Sequence, residues 1–205
     1  MPSRSFAIVP AAGLSLRMGT PKLLLPWRDK AVVEHTIEAW HAGGVDRVLV
    51  VVRADDAALA ERVANCGAEV VGADPPPADM KASVKIGLAR VSDRYQPCAD
   101  DAWLTAPADL PSLSPIAIRR LLAAHHPAAP AVLVAAHQAR PGHPVLFPWS
   151  YAGQIDTLAA DEGLRQLIQR AAPRWIECGE GAVGADLDTP ADYERLQNET
   201  PPRPE

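Results

Sequence analysis

The 205-residue sequence predicts an α/β fold, a three-layer α/β/α sandwich around a mostly parallel, Rossmann-related sheet. Three observations predict it. Short apolar runs alternate with amphipathic stretches of helical period; the stretch between the first two runs has the length of a crossover helix; and 48% hydrophobic content suffices for one sizeable core. The strands are expected at Phe6 to Val9, Val48 to Val52, Glu69 to Val71, Ala102 to Thr105 and Ala131 to Ala135. Between the first two, Val33, Ile37 and Trp40 recur at helical spacing until Gly43-Gly44 ends the pattern. Further helices are expected at Asp56 to Asn65, Ala82 to Val91, Pro115 to His125, Glu162 to Ala171 and Pro190 to Gln197. Asp74-Pro75-Pro76-Pro77 reads as a stiff surface crossing. One domain is expected over 1–198, with a frayed, proline-rich tail over 199–205.

Net charge −5 argues against nucleic acid as a partner, because neutralising a phosphate backbone needs a basic surface. Cys66, Cys98 and Cys178 are far apart and odd in number, which suggests neither a disulfide framework nor a zinc site. The apolar run Phe6 to Val9 is too short for a signal peptide core or a membrane span. The expectation is a cytoplasmic protein with no membrane partner.

Ligands of open α/β sheets sit beyond the carboxyl ends of the strands. The loops after Val9, after Thr105 and around Gly142 are therefore the places to look. The first, Pro10 to Lys22, carries Gly13, Ser15, Arg17, Gly19 and Lys22. Small residues admit close backbone approach, amide hydrogens can face phosphate oxygens, and the two cations can offset polyphosphate charge. A glycine-containing strand-to-helix turn with two solvated cations would account for the same residues. The spacing matches neither GxGxxG nor GxxxxGK[ST]. Asp109, just beyond the predicted strand Ala102 to Thr105, is either a metal-ligating carboxylate or a turn aspartate ahead of Pro111. In Asp186-Leu187-Asp188-Thr189-Pro190-Ala191-Asp192, capping accounts for Asp188 and Asp192 better than ligation does.

AAGxSxRMGxxKxLLP, running from Ala11 to Pro26, resembles the signature of the MobA-like nucleotidyltransferases nearly throughout its sixteen positions. The resemblance extends from Phe6 to Leu196 and implies the nucleotide-diphospho-sugar transferase-like fold. It also implies that Ala11, Ala12, Gly13, Ser15, Arg17, Met18, Gly19 and Lys22 hold the nucleotide, with Arg17 and Lys22 on the phosphates. Pro10-Ala11-Ala12-Gly13 is similar to the molybdenum cofactor cytidylyltransferase branch, which favours CTP over GTP. Asp109 then matches the GDxP metal motif, with Ala108 in place of glycine, and Asp186 is the candidate second ligand for Mg2+, in a segment similar to DxDTPxD. Met80 and Ser83 match a base-contacting GMSSSL loop in which Asp79 and Lys81 are departures. Arg140 to Phe147 resembles GHPVLF and implies an acceptor site at Gly142 and His143, although a histidine between glycine and proline is structural as often; Asp161 to Arg165 is similar to GDxGxR, with Arg165 read as a helix-surface residue.

Together these imply transfer of CMP from CTP to a molybdopterin-type molybdenum cofactor, with release of pyrophosphate and a molybdoenzyme as the recipient. Arg17, Lys22 and Asp109 are the expected catalytic residues. A different phosphorylated acceptor such as a sugar phosphate, a non-catalytic cofactor carrier, and a nicotinamide oxidoreductase are the competing readings.

Overall fold

The computed structural model describes residues 3–179, 187 and 189–198. The central sheet has seven strands in the order β5-β4-β1-β6-β8-β7-β9. These are β1 (Ser5–Pro10), β4 (Arg47–Arg53), β5 (Glu69–Ala73), β6 (Ala102–Thr105), β7 (Leu133–His137), β8 (Arg140–Pro148) and β9 (Arg174–Glu177), while β2 (Pro26–Trp27) and β3 (Lys30–Ala31) form a separate small hairpin. All neighbouring pairs of the central sheet are parallel except the two that β8 makes, with β6 and with β7.

Alternation along each buried strand supplies two cores. On β1, Ala7 and Val9 face one side and Phe6 and Ile8 the other. The first side is covered by α1 (Val32–Ala42), α2 (Ala57–Asn65), α4 (Pro115–Ala124) and α6 (Pro190–Asn198), the second by α3 (Met80–Tyr95) and α5 (Leu164–Arg170). Val33, Ile37 and Trp40 of α1 are fully buried, as their spacing predicts. Helix α3 lies close on β1 because Gly87 leaves room: a Cβ there would stand 2.4 Å from Ile8 Cγ2. Trp103 and Phe147, paired across β6 and β8, stack with ring centroids 4.1 Å apart.

Two differences from the sequence-based expectation concern the far half of the sheet. Residues 140–148, expected as a loop, form the antiparallel strand β8, with Val145, Leu146 and Phe147 buried. Pro141 and Pro144, which cannot donate to a ladder, conceal the strand pattern. The β7–β8 turn conceals it further, since Gln138 (φ 49°) and Ala139 (φ 61°) both take left-handed conformations that such turns ordinarily reserve for Asn-Gly. Strand β9 is the second difference.

The three cysteines are free. Among the described residues no helix is long and apolar enough to cross a membrane. The expected tail over 199–205 lies outside the described residues.

Candidate active site

From β1 the chain crosses to β4 and β5 on one side and then returns to β6 on the other, so the strand order reverses between β1 and β6. Ligands of such sheets bind at that switch point. Here the loops after β1 and β6 face each other across a cleft of about 560 Å³ lined by residues 10–18 with Lys22, Asp79, Met80, Ser83 and Asp109.

The first loop folds on itself. Ser15, at φ 51°, accepts backbone hydrogen bonds from Met18 and Gly19 on its carbonyl, and its hydroxyl accepts one from the Lys22 amide at 3.3 Å. Ala11, Ala12 and Met18 are buried and anchor the loop, whereas Gly13, Arg17 and Gly19 are exposed along it. Of the ten residues expected to hold the nucleotide, nine line this cleft and Gly19 stands just outside it. Ser83 is buried, with its hydroxyl donating to the Asp79 carbonyl at 3.2 Å.

The second loop presents Asp109. Thr36 of α1, fully buried, holds the turn: its hydroxyl lies 3.0 Å from the Ala108 carbonyl and 3.2 Å from that of Leu110. Ala108 is buried and takes no left-handed conformation, so the turn forms without the family's glycine. Asp109, 9% exposed, points its carboxylate at the Lys22 ammonium, and the two form an ion pair on the floor of the cleft. Two residues 87 apart in sequence thus meet in the cleft. Asp186 lies outside the described residues; its neighbour Leu187 is fully buried and donates its amide to the Asp109 carbonyl. Thr189 and Asp192 cap α6 reciprocally, the Thr189 amide and hydroxyl donating to the Asp192 carboxylate and the Asp192 amide to the Thr189 hydroxyl, which is the capping role expected of Asp192.

A second cavity of about 1190 Å³ adjoins the first, with Asp79, Met80 and Pro107 lining both. Gly142 and His143 line it, together with Asp161 to Arg165. Burial pushes the His143 imidazole below its ordinary range, and the Asp109 carboxylate offsets this only in part. Its Nδ1 is buried and has no partner among the described residues. The departures Asp79 and Lys81 have local reasons. Asp79 caps α3, accepting from the Ala82 amide at 2.7 Å, and the Lys81 ammonium reaches the carbonyls of Ala159 (2.7 Å) and Ala160 (3.2 Å), tying the start of α3 to the loop that walls the second cavity.

Sequence reasoning missed Trp175 and Val134 on the floor of this cavity, along with the Lys81 tie. Trp175 belongs to β9, a four-residue strand too short to register as a period. The Lys81 tie spans 78 residues and has no local signal.

Fold and cleft define an α/β protein that opposes a cation-bearing, glycine-containing loop to a carboxylate, with a second chamber beside them. Comparison with known proteins resolves the class: the chain belongs to the MobA-like NTP transferase domain family, whose pattern matches residues 7–175. The fold is the one shared by nucleotidyltransferases of the nucleotide-diphospho-sugar transferase type. The chain is 29% identical over 197 residues to the nicotine blue oxidoreductase of Paenarthrobacter nicotinovorans, covering 91% of this chain and 93% of that one. It is 26% identical over 187 residues to the molybdenum cofactor cytidylyltransferase of Escherichia coli K12, with 91% and 92% covered. The crystal structure of Rv0371c from Mycobacterium tuberculosis H37Rv superposes with a TM-score of 0.80 at 28% identity, covering 97% of this chain and 100% of that one. A manganese complex of Rv0371c gives a TM-score of 0.77.

Proposed function

We propose that this chain transfers CMP from CTP to a molybdopterin-type molybdenum cofactor, releasing pyrophosphate, in a magnesium-dependent reaction that supplies a molybdoenzyme. The observation that carries the reading is the Lys22–Asp109 pair in the cleft walled by the glycine-containing loop, with a second chamber adjoining it across Asp79, Met80 and Pro107. The Pro10-Ala11-Ala12-Gly13 opening and the likeness to the Escherichia coli cytidylyltransferase support CTP and the molybdenum cofactor.

Asp109 suits a hard divalent cation, being a carboxylate oxygen donor that lines the cleft. Among the described residues no group of three or more His, Cys, Asp or Glu is gathered, so such an ion would take most of its ligands from phosphates and water, as magnesium commonly does. The Rv0371c manganese complex supports a divalent cation, and Leu187 at the Asp109 carbonyl supports Asp186 as the second ligand. When bound, the ion offsets charge on the α- and leaving phosphates. Arg17 and Lys22 offset the remaining charge, and the loop amides hold the triphosphate in line with an acceptor phosphate in the second chamber. An acceptor phosphate oxygen attacks the α-phosphorus, the bond to the bridging oxygen breaks, and pyrophosphate leaves. No side-chain nucleophile is needed.

The test is pyrophosphate release with magnesium and molybdenum cofactor, offering CTP, GTP and ATP separately. Release with CTP alone, lost in Asp109→Ala, is expected; release with another nucleotide alone discards the base assignment. The likeness to nicotine blue oxidoreductase favours a second reading, a reductase on this scaffold. Oxidation of NADH or NADPH by the protein, with no pyrophosphate from any nucleotide, would favour that reading instead.

A further inference from the structure

Of the five tryptophans, Trp40 and Trp103 are fully buried, Trp27 is 5% exposed and Trp149 is half-buried, but Trp175 is 53% exposed. It stands on β9, the edge strand beyond β7. Its placement follows from register. Thr105 of β6 pairs with Val145 of β8, Val145 with Val134 of β7, and Val134 with Trp175 of β9. Residues paired in register share a face of the sheet, and all four line the second cavity. They form a straight floor from the strand that leads to Asp109 out to the indole. Three inter-strand steps of about 4.8 Å put Trp175 roughly 14 Å from Thr105. Pro141, Pro173 and Ile168 complete an apolar wall around the far end, and Gln169 is the amide there.

We infer that Trp175 is a stacking platform for a planar, fused-ring heterocycle at the end of the acceptor remote from its reacting phosphate. The inference rests on the transfer reading and deepens it by assigning the acceptor's shape. An acceptor with its phosphate at the Asp109 end must span most of the floor to reach the indole. A sugar phosphate would fill only the near half, whereas a phosphorylated fused-ring heterocycle spans the floor and presents a flat face. An exposed indole in an apolar recess gains both burial and a π-face contact from such a ring.

The experiment is calorimetric titration of the full chain with pterin, and separately with Mg2+ and CTP, for wild type, Trp175→Phe and Trp175→Leu. On an exposed edge-strand position both variants should melt with the wild type. Stacking on an aromatic side chain is strong enough that Trp175→Leu should weaken pterin binding by roughly tenfold or more. Trp175→Phe should stay within about threefold, restoring the flat face without the size, and CTP affinity should hold in both. In the transfer assay Trp175→Leu should raise KM for the acceptor and leave kcat and KM for CTP unchanged. Pterin that fails to bind the wild type, or binds Trp175→Leu equally well, overturns the platform. Pyrophosphate release with an unchanged acceptor KM in Trp175→Leu keeps the transfer reading and removes the platform. Aromatic-dependent pterin binding without any pyrophosphate release keeps the platform and removes the transfer reading.

Discussion

Replacing Lys22 with methionine should move metal affinity and turnover in opposite directions. The ammonium and the Asp109 carboxylate pair in a partly covered setting, their side chains 18% and 12% exposed. A hydrogen bond to a charged group in such a setting is worth about 1.5–3 kcal/mol. A divalent cation arriving at Asp109 without nucleotide has to displace that ammonium, so the pair's free energy is subtracted from the ion's affinity. Removing the ammonium should therefore tighten Mn2+ or Mg2+ binding by roughly ten- to a hundredfold, at about 1.4 kcal/mol per decade. During transfer the same ammonium offsets phosphate charge, and its loss should lower kcat by on the order of 10²–10³. Calorimetry of the nucleotide-free protein measures the first effect and pyrophosphate release the second, with Lys22→Arg as the charge-retaining control. Unchanged or weaker ion binding in Lys22→Met would refute the idea that lysine and metal share Asp109.

Thr36→Val keeps shape but strips the hydroxyl that holds the Ala108 and Leu110 carbonyls, so stability should fall by about 1–3 kcal/mol. Turnover should fall with it while CTP affinity holds, as a displaced Asp109 turn requires. Gly87→Ala puts a Cβ 2.4 Å from Ile8, and overpacking of about 1–3 kcal/mol should outweigh the roughly 1 kcal/mol gain in helix propensity. Gly72→Ala, whose Cβ would meet only Ala54 at 3.9 Å, should melt no lower than the wild type. Burial alone would raise the Asp101 carboxyl, but bonds from the Arg4 side chain, the Arg4 amide at 2.7 Å and the Cys98 amide hold it below its ordinary value. A carboxylate depressed in the folded state contributes stability above the unfolded value of about 3.9 and loses it as pH falls through the folded value. Asp101→Asn should accordingly be less stable than wild type at pH 7, with the gap closing below about pH 4 in denaturant titrations.

The near half of the molecule was legible in the sequence because its signals are local. Val33, Ile37 and Trp40 mark α1 by spacing, and the residues from Ala11 to Lys22 mark the cleft by motif. The far half was not, because β8 is punctuated by Pro141 and Pro144 and its hairpin turns on Gln138 and Ala139. The residues that complete the second chamber are brought together by sheet register rather than by neighbourhood in sequence. Trp175 reaches the floor only because β9 pairs with β7, and Lys81 reaches its carbonyls across 78 residues. Ala108 shows the converse, a departure from the family motif that the backbone absorbs because Thr36 holds the turn.

The central claim, transfer of the α-phosphoryl unit of CTP, is tested most directly by following label from CTP carrying radioactive phosphorus at the α-position, with molybdenum cofactor and magnesium. The account predicts label in the acceptor product, one pyrophosphate per product, and neither in Asp109→Ala. Label that stays in CTP or appears only as free CMP would contradict it.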